Sequence, residues 1–101
     1  MKKIIKTLDA PAPIGPYSQA ITVNGFLFIS GQIPIDPKSG NLVQNDIKAA
    51  THQVMKNIGA ILLAAGMDYA HIVKTSIFLT DLNNFNAVNE AYGSYFKENF
   101  P

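Results

Sequence analysis

The stretch IGPYSQAITVNGFLFISGQIP, residues 14–34, decides the fold of this chain. Its Asn24-Gly25 pair lies between two apolar runs, which predicts a β-hairpin with a type I′ turn, because that turn needs positive φ at both central positions. The turn also sets the register of the two strands. The cross-strand pairs that follow are Val23 with Phe26, Ile21 with Phe28 and Gln19 with Ser30. Side chains at Ala20, Thr22, Leu27 and Ile29 then point to the opposite face.

Polar groups gather at the open end of this hairpin. Tyr17 continues the face of Gln19, so its phenol and the Ser30 hydroxyl should lie diagonally across neighbouring strands, about 7–8 Å apart at their backbones. Gly31 follows directly and has no side chain, which lets a ligand approach the backbone N–H. The sequence therefore predicts a small-molecule site formed by Tyr17, Ser30 and Gly31.

Composition favours one oligomeric domain. The chain has 101 residues, of which 48% are hydrophobic and 15% charged. So few charges cannot cover the whole surface, and we expect an apolar face to be shared between subunits. The net charge is +1, carried by eight lysines and no arginine, and this argues against a nucleic-acid surface because phosphate and guanine recognition depend on bidentate arginine.

Several kinds of site and segment are not expected. The chain has no cysteine, and His52 and His71 lack partners at metal-ligand spacing, so we expect no metal, with both imidazoles solvated. No paired carboxylates or nucleophile motif can be recognised. Lys2 and Lys3 are not followed by the apolar core of a signal peptide, and residues 58–67 are half the length of a membrane span. We therefore expect a cytoplasmic protein that contacts no membrane.

The predicted element order is β-β-β-α-β-α, an α+β fold with two helices packed on one face of a mixed or antiparallel sheet. The predicted elements are a first strand at 4–7, the hairpin, a helix at 47–65 capped by Asn45 or Asp46 and closed by Gly66, a β-branched inner strand at 72–80, and a helix at 85–96 preceded by an Asp81 cap. In the first helix Asn57 is assigned to the polar side. The uncovered sheet face is the predicted oligomer interface.

Asn89 interrupts the apolar stripe of the second predicted helix. Its amide should therefore face the core or a crevice, where it needs hydrogen-bond partners. Those partners can be the backbone of a nearby loop or a bound ligand, and the sequence leaves both alternatives open.

Several segments resemble one family in order and spacing. They are IGPYSQA at 14–20, SGQIP at 30–34, DPKSG at 36–40, AAGMDYAHIVKTSIFLTDLNNF at 64–85 and VNEAYGSYF at 88–96. Together they resemble the Rid family of reactive-intermediate deaminases, also called YjgF or L-PSP. The resemblance implies a homotrimer with a chorismate-mutase-like fold and a site in each intersubunit cleft. It also implies hydrolysis of 2-imino acids or their enamine tautomers, such as 2-iminobutanoate and 2-iminopropanoate, to 2-keto acids and ammonia without a cofactor or metal.

The family's site residues match four positions of this chain: Tyr17 and Ser30 as catalytic and substrate-binding residues, and Gly31 and Asn89 as substrate-binding residues. The resemblance also implies a further C-terminal segment, with an arginine that clamps the substrate carboxylate and a glutamate that positions water. We therefore expect residues 1–101 to be a single Rid-type domain shortened at its C-terminus. Two alternatives remain, a non-catalytic regulatory trimer that binds small metabolites and a ribonuclease or translation inhibitor.

Overall fold

The computed structural model describes all 101 residues. Its elements in chain order are β1 (Lys3–Ile5), β2 (Ala20–Val23), β3 (Phe26–Ile29), α1 (Ile47–Ala64) and α2 (Phe85–Gly93), with short 3₁₀ turns at Tyr69–His71 and Leu82–Asn84. The predicted α+β class is confirmed. No helix has the length and apolarity needed to cross a membrane.

The hairpin forms as predicted. Asn24 and Gly25 have φ angles of 50° and 82°, the two positive values that a type I′ turn requires. Val23 pairs with Phe26 and Ala20 with Ile29, so the register is confirmed over the whole of β2 and β3.

The three strands form an antiparallel sheet in the order β1-β2-β3. One face carries Ile5 and Ala20, which pack with Ala10 and with Ile61 of α1 in the buried core. The opposite face leaves Phe26 and Phe28 largely exposed, because no helix covers it. Alternation along the strands thus divides the sheet into a core face and an apolar surface.

Helix α1 begins and ends at recognisable caps. The Asp46 carboxylate accepts hydrogen bonds from the backbone N–H groups of Lys48 and Ala49. At the other end Gly66 has a φ of 76°, and the Met67 N–H donates to the Leu62 carbonyl at 2.8 Å, which is a Schellman motif.

The polar assignment of Asn57 in α1 was wrong. Asn57 is 1% exposed, because the loop that follows β3 crosses the helix at this position and its carbonyls require donors. Helical periodicity marks the apolar stripe but does not show which loop will cover an adjacent polar side chain.

Helix α2 packs against α1. It ends at Gly93, before the predicted limit at 96, and the chain then turns so that Tyr95 reaches His52 of α1. The Tyr95 hydroxyl lies 2.8 Å from the His52 Nδ1, so the expectation that His52 is solvated was wrong, whereas His71 is exposed as expected. Lys48 and Glu90 form an ion pair across the two helices at 3.2 Å.

The predicted strand at 72–80 is absent, because none of its backbone groups is paired with another strand. Residues 72–79 have no regular secondary structure. The pattern of β-branched residues predicts buried faces, but a strand also needs a partner for its backbone, and the pattern carries no information about that partner.

Candidate functional site

A cavity of about 60 Å³ lies where the chain enters β2 and leaves β3. Tyr17 and Gly31, two of the residues predicted from sequence, both line it. We define two walls from its lining residues: the first wall is residues 11–14, and the second wall is residues 32–35. Tyr17 is the only lining residue with a titratable side chain, so the cavity is polar through hydroxyl, amide and backbone groups.

The Tyr17 side chain folds back along the first wall. Its ring packs against Gly15, and its hydroxyl oxygen accepts a hydrogen bond from the Ile14 N–H at 3.3 Å. Because that oxygen acts as an acceptor, the phenolic hydrogen remains available to donate to a ligand. Tyr17 therefore combines a structural contact with a free donor at the cavity.

Ser30 lies next to the cavity but is not among its lining residues. Its hydroxyl donates to the Ser18 carbonyl, and its backbone N–H donates to the Gln19 carbonyl at 3.0 Å. The hydroxyl hydrogen is thus occupied, which leaves the lone pairs of the oxygen for a ligand. No histidine contacts this hydroxyl, so nothing in the arrangement activates it as a nucleophile.

Gly31 borders open space. A Cβ built at this position meets no atom within 4 Å, and its φ is outside the left-handed region. The space beside the Gly31 backbone is therefore open, and its role in binding a ligand stays a prediction.

The expectation that the Asn89 amide faces the core or a crevice was wrong for this chain. Asn89 is exposed on α2 and does not line the cavity, because Val88 and Ala91 are the α2 residues that turn toward α1. An exposed Asn89 is open to contact from outside the chain.

Two buried amides, Gln19 in the lining of the cavity and Asn57 behind it, were not identified as site residues from the sequence. Gln19 and Asn57 are 4% and 1% exposed, and each bonds to backbone carbonyls at or beside a wall of the cavity. The sequence did contain a signal for Gln19. The segment APAPIGP at 10–16 is rich in prolines, which have no N–H, and is too irregular to pair its own carbonyls, so these carbonyls need a donor from another segment. No comparable signal marks Asn57.

A larger open groove of about 370 Å³ runs along the outer side of α1, between Lys56 and Tyr69. None of the residues predicted to form the site lines it. Its only carboxylate, Asp68, is engaged in capping the 3₁₀ turn at Tyr69–His71. The smaller cavity is therefore the better candidate, because its polar groups converge on one point.

The two groups with shifted pKa values, Tyr69 and Tyr95, lie outside both the predicted site and the cavity. Burial raises the pKa of the Tyr69 phenol above its usual value, and the neighbouring Tyr95 raises it further. Burial also raises the pKa of Tyr95. The Tyr69 hydroxyl donates to the Met55 carbonyl at 2.7 Å, and its ring lies 5.1 Å from that of Tyr95. These tyrosines belong to the packing between α1 and the chain after α2, and no cluster of three metal-ligating side chains is present.

Known proteins closely resemble this arrangement. Residues 7–101 match the family described as Endoribonuclease L-PSP. The 2-iminobutanoate/2-iminopropanoate deaminase of Homo sapiens is 50% identical over 101 residues, which are 100% of this chain and 74% of the human protein.

Solved structures agree with the sequence match. The Rid family protein YyfA of Yersinia pestis, described as being of unknown function, superposes with a TM-score of 0.93 at 57% identity, over 96% of this chain and 77% of that protein. E. coli TdcF with bound serine superposes with a TM-score of 0.89 at 40% identity, over 93% of this chain and 73% of TdcF. The chain belongs to the Rid family, also called YjgF or L-PSP.

Proposed function

We propose that this protein binds small 2-imino acids at the cavity beside Gly31 and hydrolyses them to 2-keto acids and ammonia. The observation that carries the proposal is the position of Tyr17 and Gly31 on one cavity, with a free phenolic donor beside an open stretch of backbone. The name of the human relative, a 2-iminobutanoate/2-iminopropanoate deaminase, supports the same substrate class. Serine bound to the structural relative TdcF supports a ligand of amino-acid size.

The proposed chemistry is addition of water followed by loss of ammonia. Water adds across the C=N bond, so that its oxygen joins carbon and a proton joins nitrogen. The C–N bond of this adduct then breaks as its hydroxyl proton passes to nitrogen, which forms the C=O bond of the keto acid and releases ammonia. The Tyr17 hydroxyl and the Gly31 N–H act as neutral donors that orient the substrate, while the Ser30 oxygen accepts. This role suits the Ser30 contacts, since its hydrogen is already donated to Ser18.

The working site also requires a second subunit in this proposal. A cavity of about 60 Å³ is much smaller than ligand pockets, which typically have volumes of about 300–1,000 Å³, so one chain cannot enclose a substrate alone. The exposed Asn89 and the uncovered sheet face both suit contact with another copy. We propose a homotrimer in which each cleft combines surfaces of two subunits.

The function is tested with Gly31→Ala. The added methyl meets no protein atom within 4 Å, so the fold is retained while the methyl occupies the space proposed for substrate. Gly93→Ala is the matched control, because its methyl also meets nothing but lies in α2, away from the cavity. We expect Gly31→Ala alone to weaken binding of 2-oxobutanoate, the keto acid formed from 2-iminobutanoate, in calorimetric titration. Equal affinity in both variants would place the ligand elsewhere.

Binding without turnover is the second candidate. It is favoured by the absence of any charged side chain among the residues that line the cavity, since acid–base catalysis by a positioned group typically contributes about 10²–10⁴-fold. Measuring affinity for 2-oxobutanoate together with ammonia release in a coupled dehydratase assay separates the two functions. Binding with no ammonia release would identify a metabolite sensor, and an RNA-cleavage assay at low salt tests the ribonuclease that the family description names.

The trimer is tested with Phe28→Asp, which places a charge on the uncovered sheet face, where Phe28 is 63% exposed. Burying an unpaired carboxylate is strongly unfavourable, so the variant should sediment with the mass of a single chain. Leu63→Asp is the control, because Leu63 is also a large exposed apolar residue but lies on α1. A monomeric wild-type protein at micromolar concentration would rule out the trimer.

A further inference from the structure

We propose that two buried amide side chains, Gln19 and Asn57, are positioning residues that hold the two walls of the cavity and thereby set its affinity for ligand. The part that concerns affinity rests on the function proposed above. The part that concerns the walls rests only on contacts within the chain. Gln19 also lines the cavity, but both polar atoms of its side chain are engaged by backbone groups, and Asn57 does not line it, so each amide acts through the backbone that it holds.

Gln19 holds the first wall. Its side-chain N–H groups donate to the carbonyls of Thr7, Ala10 and Pro11 at 3.0, 3.2 and 2.9 Å. Its side-chain oxygen accepts from the Thr7 N–H at 2.8 Å. One amide thus binds the backbone at both ends of the segment 7–11, which leads directly into the first wall.

The first wall has few other means of support. Residues 11–16 include three prolines and form no helix or strand. Within the wall and its continuation to Tyr17, the only backbone–backbone hydrogen bond is from the Tyr17 N–H to the Gly15 carbonyl at 2.9 Å. The position of Pro11 relative to the sheet therefore depends on Gln19, which stands directly before β2.

Asn57 holds the second wall. Its side-chain N–H groups donate to the carbonyls of Ile33 and Ile35 at 3.3 and 2.9 Å, and both residues line the cavity. Its side-chain oxygen accepts from the Gln53 amide at 3.0 Å, so all of its polar atoms are paired. Because Asn57 lies in the middle of the long helix α1, the second wall is fixed to a rigid element.

These contacts make the two walls separable. Replacing either amide removes the side-chain donor from backbone carbonyls that are buried or partly buried, and the loop that carries those carbonyls loses its contact first. Gln19 makes no hydrogen bond to the second wall, and Asn57 makes none to the first. Each replacement should therefore loosen one wall and leave the other in place, which a general loss of stability would not do.

The test compares Gln19→Met and Asn57→Leu, which nearly preserve side-chain volume. Native-state amide exchange followed by NMR reports the continuation of the first wall at the Tyr17 N–H, which donates to the Gly15 carbonyl at 2.9 Å. It reports the second wall at the Ile35 N–H, which donates to the Ile33 carbonyl at 2.8 Å. We expect Gln19→Met to accelerate exchange at Thr7 and Tyr17 but not at Ile35, and Asn57→Leu to accelerate it at Ile35 but not at Thr7 or Tyr17. Each should weaken 2-oxobutanoate binding about tenfold, the factor that corresponds to about 1.4 kcal/mol.

Two controls accompany these variants. Gln44→Met removes an exposed amide that forms no hydrogen bond in the structure, and Gln53→Met removes the neighbour of Asn57 but keeps both donors to the second wall. Both should bind 2-oxobutanoate with wild-type affinity. If a primary variant fails to fold, Gln19→Asn and Asn57→Ser repeat the comparison, since each retains a hydrogen-bonding group of shorter reach.

The outcomes distinguish this inference from the proposed function. Acceleration that is uniform across all amides, or absent from both walls, would overturn the positioning role. Loosened walls with unchanged affinity would also overturn it. Wall-specific acceleration in a protein that does not bind 2-oxobutanoate even as wild type would leave the wall-holding role intact and overturn the proposed function.

Discussion

The hairpin of β2 and β3 and the segment 72–80 have similar apolar, β-branched sequences but very different backbone environments. In the hairpin every residue of both strands has a partner, from Val23 with Phe26 to Ala20 with Ile29. In the segment no residue from 73 to 80 takes part in a backbone–backbone hydrogen bond. Its side chains form one hydrogen bond, between the hydroxyls of Thr75 and Tyr92, which lie 2.7 Å apart.

The difference shows that local sequence specifies a strand completely only when the partner strand is encoded beside it. The Asn24-Gly25 turn joins the two strands of the hairpin, so register and pairing are local properties. The segment 72–80 needs a partner distant in sequence or supplied from outside the chain. Val73 and Phe78 are accordingly exposed, although their pattern resembles that of an inner strand.

Supplying a partner strand for the segment 72–80 should produce the largest effect on activity. The 101 matched residues are 74% of the human relative, and the family resemblance implies a C-terminal segment with an arginine and a glutamate. We expect fusion of the segment to raise keto-acid release in a coupled dehydratase assay by about 10²–10⁴-fold, because a water-positioning carboxylate is gained. The arginine should increase affinity by about ten- to a hundredfold through a charge-assisted bidentate contact.

A fusion in which that arginine is replaced by glutamine is the matched control. It should keep the added backbone but lose most of the gain in affinity. Full activity from the 101-residue chain itself would contradict the prediction, and would place the chemistry in Tyr17, Ser30 and Asn89.

Amide exchange in the unmodified chain tests the comparison directly. Local opening free energies range from near zero to the global value, so we expect the hydrogen-bonded amides of β2 and β3 to exchange about a thousandfold more slowly than those of 73–80. NMR gives both rates in one sample. Equal protection would mean that the segment is paired in solution.

Gly25→Ala tests the local part of the comparison. Gly25 has a φ of 82°, and an L-residue in the left-handed region costs about 1–2 kcal/mol. The thermal midpoint should fall by about 4–8 °C for each kcal/mol lost. Gly93→Ala serves as control, since its φ is outside that region and its methyl meets nothing. Similar midpoints for the two variants would show that the turn does not determine hairpin stability.

High pH should lower the free energy of unfolding through Tyr69 and Tyr95, which pack α1 against the chain after α2. Burial raises the pKa of Tyr69 and Tyr95 in the folded state. The stability that the two protonated phenols contribute is therefore complete below pH 10.0, the pKa in the unfolded chain, and is lost as pH rises above it. Chemical denaturation at a series of pH values should show stability falling above pH 10.0. Tyr69→Phe should reduce this fall, and an unchanged slope in that variant would assign it to other groups.

In the candidate site, too, the residues fixed by local sequence could be predicted and those that depend on distant partners could not. Tyr17 and Gly31 could be placed near one another because the hairpin register relates them, and both line the cavity. Asn89 could not be placed by periodicity, since its position in the apolar stripe did not reveal that the helix presents Val88 and Ala91 to α1 instead. Gln19 and Asn57 were missed because their partners are backbone carbonyls in irregular loops.

By itself the sequence determined the Asn24-Gly25 turn, the hairpin register, the caps of α1 and the family to which the chain belongs. These features depend on local dihedral preferences or on direct likeness between sequences. Tertiary structure alone decided that Asn57 is buried and that 72–80 remains unpaired. The reason is physical: the hydrogen-bonding needs of a buried amide or an extended backbone are met by groups distant in sequence, and only folding brings those groups near.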